Sequence, residues 1–250
     1  MTPIPYLHDI ADTRAGRVGA NRSNIDSLDR VAAYLRANPG STITADDGYR
    51  SILRPLPALE ATSPRLIRST TTGFVGRAVT SYEVAVSTIL ERDAGLFLGG
   101  AWLEGEDAYS HIHRRVKFLS PRARATSLAA IEKENDVALK DAVPVGTYLG
   151  WDDIRKLSQH PNITIGAHTH SHVHLPSMPW RIALGELIIS RLILRARLGV
   201  AATDMSYPYG GYSARVARFA RLAGYSSGYT TRAEGCGRYG IPRQPLESLL

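Results

Sequence analysis

The chain of 250 residues has a single cysteine, Cys236, so no disulfide can form within it and a disulfide-built scaffold is excluded. It also lacks an unbroken apolar run of the ~18 residues that a membrane-spanning helix needs. The richest stretch, 182–200, is interrupted by Glu186, Arg191, Arg195 and Arg197, so no transmembrane segment is read. Residues 1–14 have no basic start followed by an apolar core, hence no signal peptide is read there and the expected location is cytoplasmic. No repeat or linker-like tract is found, and the 22 Gly and 14 Pro are spread without a period, which excludes collagen-like and low-complexity classes. The formal net charge is +7, yet no dense basic block and no interleaved aromatics accompany it. Arginines are scattered from Arg14 to Arg243, so no nucleic-acid partner is expected. What remains is an ordinary folded composition, 44% hydrophobic and 21% charged, of a length that favours one large domain, 1–250.

The periodicity of the chain gives its class. Ile25, Leu28, Val31, Ala32 and Leu35 recur at helical spacing over 24–38, and Pro39-Gly40 stops the pattern. A β-branched run at 41–44 predicts a strand ending in Asp46-Asp47-Gly48. A second strand and a turn are expected within 64–76, and further extended segments at 162–166, 205–209 and 225–231. Helices are expected over 82–92, 108–119, 123–135, 151–159, 180–198 and 214–223. Strands alternating with helices indicate an α/β fold with a largely parallel sheet. The segment of about 77–145 is long for a connection between strands, reads as mostly helical, and is expected to cover one side of a groove. The polar motifs fall just after strands, where sites of such folds collect.

Three segments carry chemistry. In His168-Thr169-His170-Ser171-His172-Val173-His174, four of the eight histidines fall within seven residues. Imidazole nitrogen suits zinc and similar metals, and histidines four apart can face the same way on a helical turn. Spacing alone leaves His168 with His172 and His170 with His174 equally open, and a solvated polar loop is the bland alternative. Asp46-Asp47-Gly48 is a good turn by itself. Beside the histidines, one carboxylate and two imidazoles make a three-ligand site of the open, catalytic type. The second carboxylate is then free to move protons. The third segment, Ser206-Tyr207-Pro208-Tyr209-Gly210-Gly211-Tyr212, reads either as an aromatic-rich turn or as a rim where aromatic faces meet a sugar and a backbone N–H meets an oxyanion.

In order and content these segments resemble the polysaccharide deacetylases, the NodB-homology group of carbohydrate esterase family 4. Thr44-Ala45-Asp46-Asp47-Gly48 is similar to that family's first motif, His168-Thr169-His170-Ser171-His172 to its second, and Ser206-Tyr207-Pro208-Tyr209-Gly210 to its third. Gly166 before the second motif and Leu175 after it select the frame of His168 and His172. Looser similarity at 70–76 and at Gly150-Trp151-Asp152 extends the resemblance over about 40–245. The resemblance implies a distorted TIM-like (β/α) barrel with fewer, less regular units than the eight-fold form. It implies a divalent metal ion, usually zinc, on Asp47, His168 and His172, with Asp46 as general base and the Tyr209 backbone N–H at the oxyanion. It implies a carbohydrate substrate bearing N-acetyl groups.

Three departures stand out. Ala45 replaces a usual phenylalanine. Ser206 stands where many members have an arginine that orients the base, leaving Arg243 and Tyr207 as the expected base-orienting or substrate-binding residues. No histidine follows His174, where the family often has its general acid, so the acid is unassigned. His111 and His113 are read as ordinary surface or core histidines. The leading expectation is a metal-dependent deacetylase of amino sugars. Its rivals are an amidase for a non-sugar C–N bond and a catalytically impaired glycan-binding homologue.

Overall fold

The structure, a computed structural model, describes residues 4–10, 18–20, 25–75, 79–199, 201–233 and 235–249. Its longer strands are β1 (Ile4–Leu7), β2 (Thr42–Ala45), β3 (Arg65–Thr70), β4 (Gly95–Leu98), β5 (Ala101–Glu104), β6 (Ile163–Ala167), β7 (Asp204–Ser206), β8 (Ser227–Thr230) and β9 (Ile241–Pro245), and Asp9–Ile10 forms a separate two-residue pair with Ile25–Asp26, where a helix is expected. All the longer strands but β4 and β5 close into a seven-stranded barrel in the order β1-β9-β8-β7-β6-β3-β2, with every neighbouring pair parallel. The longer helices are α1 (Leu28–Ala37), α2 (Leu56–Thr62), α3 (Tyr82–Asp93), α4 (Gly105–Val116), α5 (Pro121–Asn135), α6 (Trp151–Ser158), α7 (Trp180–Leu198) and α8 (Ala214–Leu222). The architecture is the expected (β/α) barrel with fewer than eight strands.

Local chemistry explains the element ends. Ser27 caps α1 by accepting from the Arg30 N–H at 3.2 Å, so the helix starts at Leu28, later than the apolar spacing suggests. The expected start at Asn24 lies outside the described residues, as does the turn expected at Gly76. Ser120 caps α5 and Pro121 fills its first position, where the missing N–H costs nothing. Gly199, left-handed at φ 76°, ends α7. β3 is buried at five of its six positions, as a parallel strand covered on both faces should be. One apolar cluster joins the barrel wall to its helices through Leu7, Ile43, Leu66, Leu187 and Val216. A second lies under the segment between β3 and β6 and includes Ile89, Leu96, Ile112 and Leu128.

The segment expected over 77–145 is mostly helical in its described residues, and β4 and β5 add an antiparallel hairpin with Leu98 opposite Ala101. The two residues between them, Gly99 and Gly100, have φ 66° and 81°, a turn that only glycine makes without strain. Both their N–H groups donate to the Glu134 carboxylate, at 3.0 and 2.6 Å. Residues 205–209 are not extended throughout, because the chain turns at Pro208–Gly210 with Tyr209 left-handed. The strands β1 and β9 were not read from the sequence. Pro5 lies in β1 and Pro242 and Pro245 in β9, and proline argues against a strand inside a sheet. Yet these two strands close the barrel, Ile4 to Tyr6 pairing with Arg243 to Pro245, and Tyr6 and Leu7 with Thr44 and Ala45.

If β1 is a wall of the barrel, Leu7, which is 1% exposed, is a core residue. Leu7→Ala is expected to lower unfolding stability by ~2–5 kcal/mol, read as a fall in the denaturant midpoint with an unchanged slope.

Candidate metal and catalytic site

The polar residues gather at the carboxyl ends of β1, β2, β6, β7 and β9, around a cavity of about 330 Å³. After β2 the chain turns sharply. Asp47 is left-handed at φ 65°, and the turn is fastened from below by the wholly buried Arg68, which donates to the carbonyls of Asp46 at 2.8 Å and Tyr49 at 2.9 Å. After β6 the histidine loop is clamped from two sides. Glu186 of α7 accepts the N–H groups of His170 and Ser171 at 2.9 and 2.8 Å. Arg124 of α5 donates to the carbonyls of Ser171 and His172. Asp47, Thr169, His172 and Tyr209 are four of the seven non-glycine residues with positive φ among the described residues. Each such conformation costs of order 1–3 kcal/mol and persists only where its surroundings over-determine it, which these clamps do.

The clamps decide which histidines converge. His168 and His172 turn Nε2 toward Asp47 Oδ1, at 3.2 and 3.1 Å. His168 Nδ1 meets the Ser206 carbonyl at 2.8 Å, which assigns the ring proton to Nδ1 and leaves Nε2 as a lone pair. His170 Nδ1 instead bonds the Thr72 hydroxyl at 3.0 Å, and His174 Nδ1 the Ser177 hydroxyl at 2.7 Å. Ligand atoms of Asp47, His168 and His172 lie within 4.8 Å of one another, and all three residues are buried. Asp47 Oδ1, close to both rings, has no hydrogen-bond partner among the described residues while the two Nε2 atoms are unprotonated, as metal binding requires. A buried carboxylate oxygen without a donor is costly unless a cation serves it, so the three residues could hold a metal ion.

Asp46 stands in a different environment. Arg243 Nη1 donates to Oδ1 at 3.0 Å and Nη2 to Oδ2 at 2.7 Å, a bidentate fork, while Nη1 also reaches the Thr44 hydroxyl at 2.7 Å. Burial pushes the Asp46 carboxyl up, but the Arg243 charge and the hydrogen bonds of its guanidinium outweigh that and hold the group far below its ordinary range. Asp46 is therefore ionised at neutral pH. Ser206 does not take part in this fork; its hydroxyl bonds that of Ser69 at 2.8 Å. Tyr207 lines the cavity, but its hydroxyl donates to the Tyr239 carbonyl at 2.7 Å, so it does not orient Asp46.

Two participants escaped the sequence reading. His8 follows β1, and since Leu7 pairs with Ala45, it stands beside Asp46 at the same end of the barrel. It lines the cavity, and burial lowers its pKa against the pull of Asp47 and Asp46. Its only local signal is the short run Ile4–Leu7 ahead of it, which Pro5 disguises. The other is Glu83 in α3, whose Oε1 is 3.2 Å from His172 Nδ1. His113, read as an ordinary histidine, lines the cavity with Tyr109, also of α4, and with Lys117, which follows that helix, and bonds the Tyr82 hydroxyl at 3.1 Å. His111 is exposed.

Comparison with known proteins fits this geometry. Residues 109–228, a stretch that includes the second and third motifs, match the family model described as polysaccharide deacetylase. A sequence search of curated proteins finds no match. Among solved structures, the chain is similar to a polysaccharide deacetylase from Bacillus cereus, with TM-score 0.57 and 13% identity over 99% of this chain and 67% of that one. It is similar to the Streptococcus pyogenes deacetylase PplD in complex with acetate, with TM-score 0.55 and 15% identity over 99% and 97%. It is similar to IcaB from Ammonifex degensii, with TM-score 0.55 and 16% identity over 97% and 91%. At such identities the likeness shows the shared barrel. No helix among the described residues is long and apolar enough to cross a membrane.

The site makes metal binding a proton-linked event. Burial lowers the His172 pKa, but Asp47 and Glu83 on either side raise it to about 9, so the metal-free ring is protonated at pH 7. A raised pKa means that His172⁺ stabilises the metal-free fold fully below about 6.5 and that this support fades as pH rises through about 9. A metal ion needs Nε2 deprotonated, so its binding at pH 7 should release about one proton. Calorimetry in two buffers of different ionisation enthalpy reads this directly. Buffer-independent heat would mean that His172 is already neutral in the metal-free chain at pH 7.

Proposed function

We propose that the chain is a metal-dependent deacetylase, hydrolysing the N-acetyl group of an amino sugar in an oligosaccharide, polysaccharide or glycolipid precursor. The observation that carries this reading is the division between two adjacent aspartates. Asp46 has both oxygens held by Arg243, while Asp47 offers a buried, unpartnered oxygen to two imidazole Nε2 atoms. An ion held by Asp47, His168 and His172, zinc being the usual choice for such donors, would supply Lewis acidity and a water ionisable near neutral pH.

The chain's own residues account for the remaining work. Asp46, already ionised, receives the proton of the attacking water, and Arg243 keeps its carboxylate in one orientation. The backbone N–H of Tyr209, on the turn after β7, serves the oxyanion that develops on the acyl oxygen as water attacks the acyl carbon. His8, beside Asp46, gives the leaving nitrogen its proton. Tyr6, Tyr109 and Tyr209 provide apolar faces for a sugar ring around the cavity. The impaired-homologue reading drew on a missing orienting arginine and a missing acid. Arg243 and His8 stand where those roles are needed, which favours an active enzyme.

The test is acetate release from N-acetylglucosamine oligomers by the metal-loaded chain. Asp46→Asn should keep the metal and lose ~10²–10⁴-fold in kcat. Loss of the metal in that variant would reverse the roles of the two aspartates. His8→Gln should likewise lower kcat at unchanged metal content. Burial holds the His8 pKa below 6.5, so the protonated donor is depleted as pH rises. The alkaline decline of kcat in the parent should therefore be lost in His8→Gln; a decline retained in that variant would assign the proton to another group.

A further inference from the structure

Glu83 is a buried carboxylate that none of the three motifs explains. It lies in the first turn of α3, in the segment between β3 and β6 and outside the stretch that matches the family model. A carboxylate in a first turn ordinarily serves the helix N-terminus. Here its hydrogen bonds run elsewhere. Oε1 accepts the Tyr209 hydroxyl and lies 3.2 Å from His172 Nδ1, and Oε2 takes the Ser81 hydroxyl at 3.5 Å. Tyr209 completes a triangle, its hydroxyl 3.1 Å from the same Nδ1. Burying a carboxylate is costly unless strong hydrogen bonds compensate. Two of the three bonds that do so come from site residues on separate loops, after β6 and after β7.

The geometry of the imidazole fixes what Glu83 can do. The two ring nitrogens face opposite ways, and Nε2 of His172 faces Asp47. Glu83, on the Nδ1 side, is behind the ring and is not a ligand. We propose that Glu83 is a positioning residue that locks two parts of the site together. It holds His172 with the proton on Nδ1, so the Nε2 lone pair faces Asp47 and His168. It also anchors the side chain of Tyr209, which fixes the left-handed turn whose backbone serves the oxyanion. This rests on the metal-site reading above. The consequence is that α3, which lies apart from the family's motifs in sequence, sets both the metal affinity and the oxyanion geometry of this barrel. Carboxylate partners of metal-bound histidines characteristically raise ligand basicity and restrict ring orientation, and their loss weakens metal binding without removing a ligand.

The experiment uses the full chain and needs no substrate. Zinc dissociation constants are measured by competition with a chromogenic chelator, and the visible absorption of the cobalt-loaded protein reports ligand geometry. Glu83→Gln, which keeps the shape and removes the charge, should weaken zinc binding about 10-fold, and Glu83→Ala about 100-fold. The cobalt spectrum should change in both variants, because the orientation of the His172 ring changes with its partner. A merely structural role would leave the zinc affinity and the cobalt spectrum of the folded protein alone. Parent-like zinc affinity and cobalt spectrum in both variants would overturn the role of Glu83 while leaving the metal site standing. A parent chain that binds neither metal would overturn the site reading, and the role of Glu83 with it.

Discussion

The buried fork between Arg243 and Asp46 joins the last strand of the barrel to the turn after its second strand. These residues are 197 positions apart, and the contact exists only because β1 pairs with β9 on one edge and β2 on the other. Both partners are almost wholly buried, so removing one leaves an uncompensated charge, a loss of ~3–5 kcal/mol in comparable cases. Barrel closure and site assembly are therefore one event. The same closure brings His8 beside Asp46 and stacks Tyr6 against the Arg243 guanidinium, 5.2 Å from its ring centre.

Around that fork, environment assigns different work to neighbouring groups. Asp46 and Asp47 are adjacent and both buried, yet one is saturated by a guanidinium and the other faces two imidazoles. Asp47, His172 and Tyr209 hold strained left-handed backbones, and each strain is restrained by a specific partner. Arg68 ties the first turn, Arg124 and Glu186 the histidine loop, and Glu83 the side chain of Tyr209. The segment between β3 and β6 thus contributes structure as well as surface. Its helices α3, α4 and α5 supply Glu83, the cavity wall of Tyr109 and His113, and the clamp of Arg124.

Local signals in the sequence were legible where short-range physics produces them. Apolar spacing marked α1, and a β-branched run marked β2. The ordered motifs pointed to the family, and the frame they select is the pair of histidines that the fold turns toward Asp47. What was hidden is long-range or against local propensity. Prolines disguised β1 and β9, so the strand carrying His8 and the strand carrying Arg243 both looked like loops. The Gly99-Gly100 turn was a readable hairpin signal, masked by the helical pattern on both sides of it. Glu83 left no signal, because a single acidic residue in the first turn of a helix is what helix electrostatics already favours. Only the packing of α3 against the loops shows its partners.

The central claim is that one ion is held by Asp47, His168 and His172. A crystal of the metal-soaked protein, with anomalous scattering recorded at the metal edge, tests it most directly. The account expects a single strong peak bonded to one Asp47 oxygen and to Nε2 of His168 and His172, at the ~2.0–2.2 Å typical of zinc. Asp46 should still be gripped by Arg243, and His170 and His174 should keep their hydroxyl partners. A peak on His170 or His174, or an ion bound by Asp46 in place of Asp47, would contradict it.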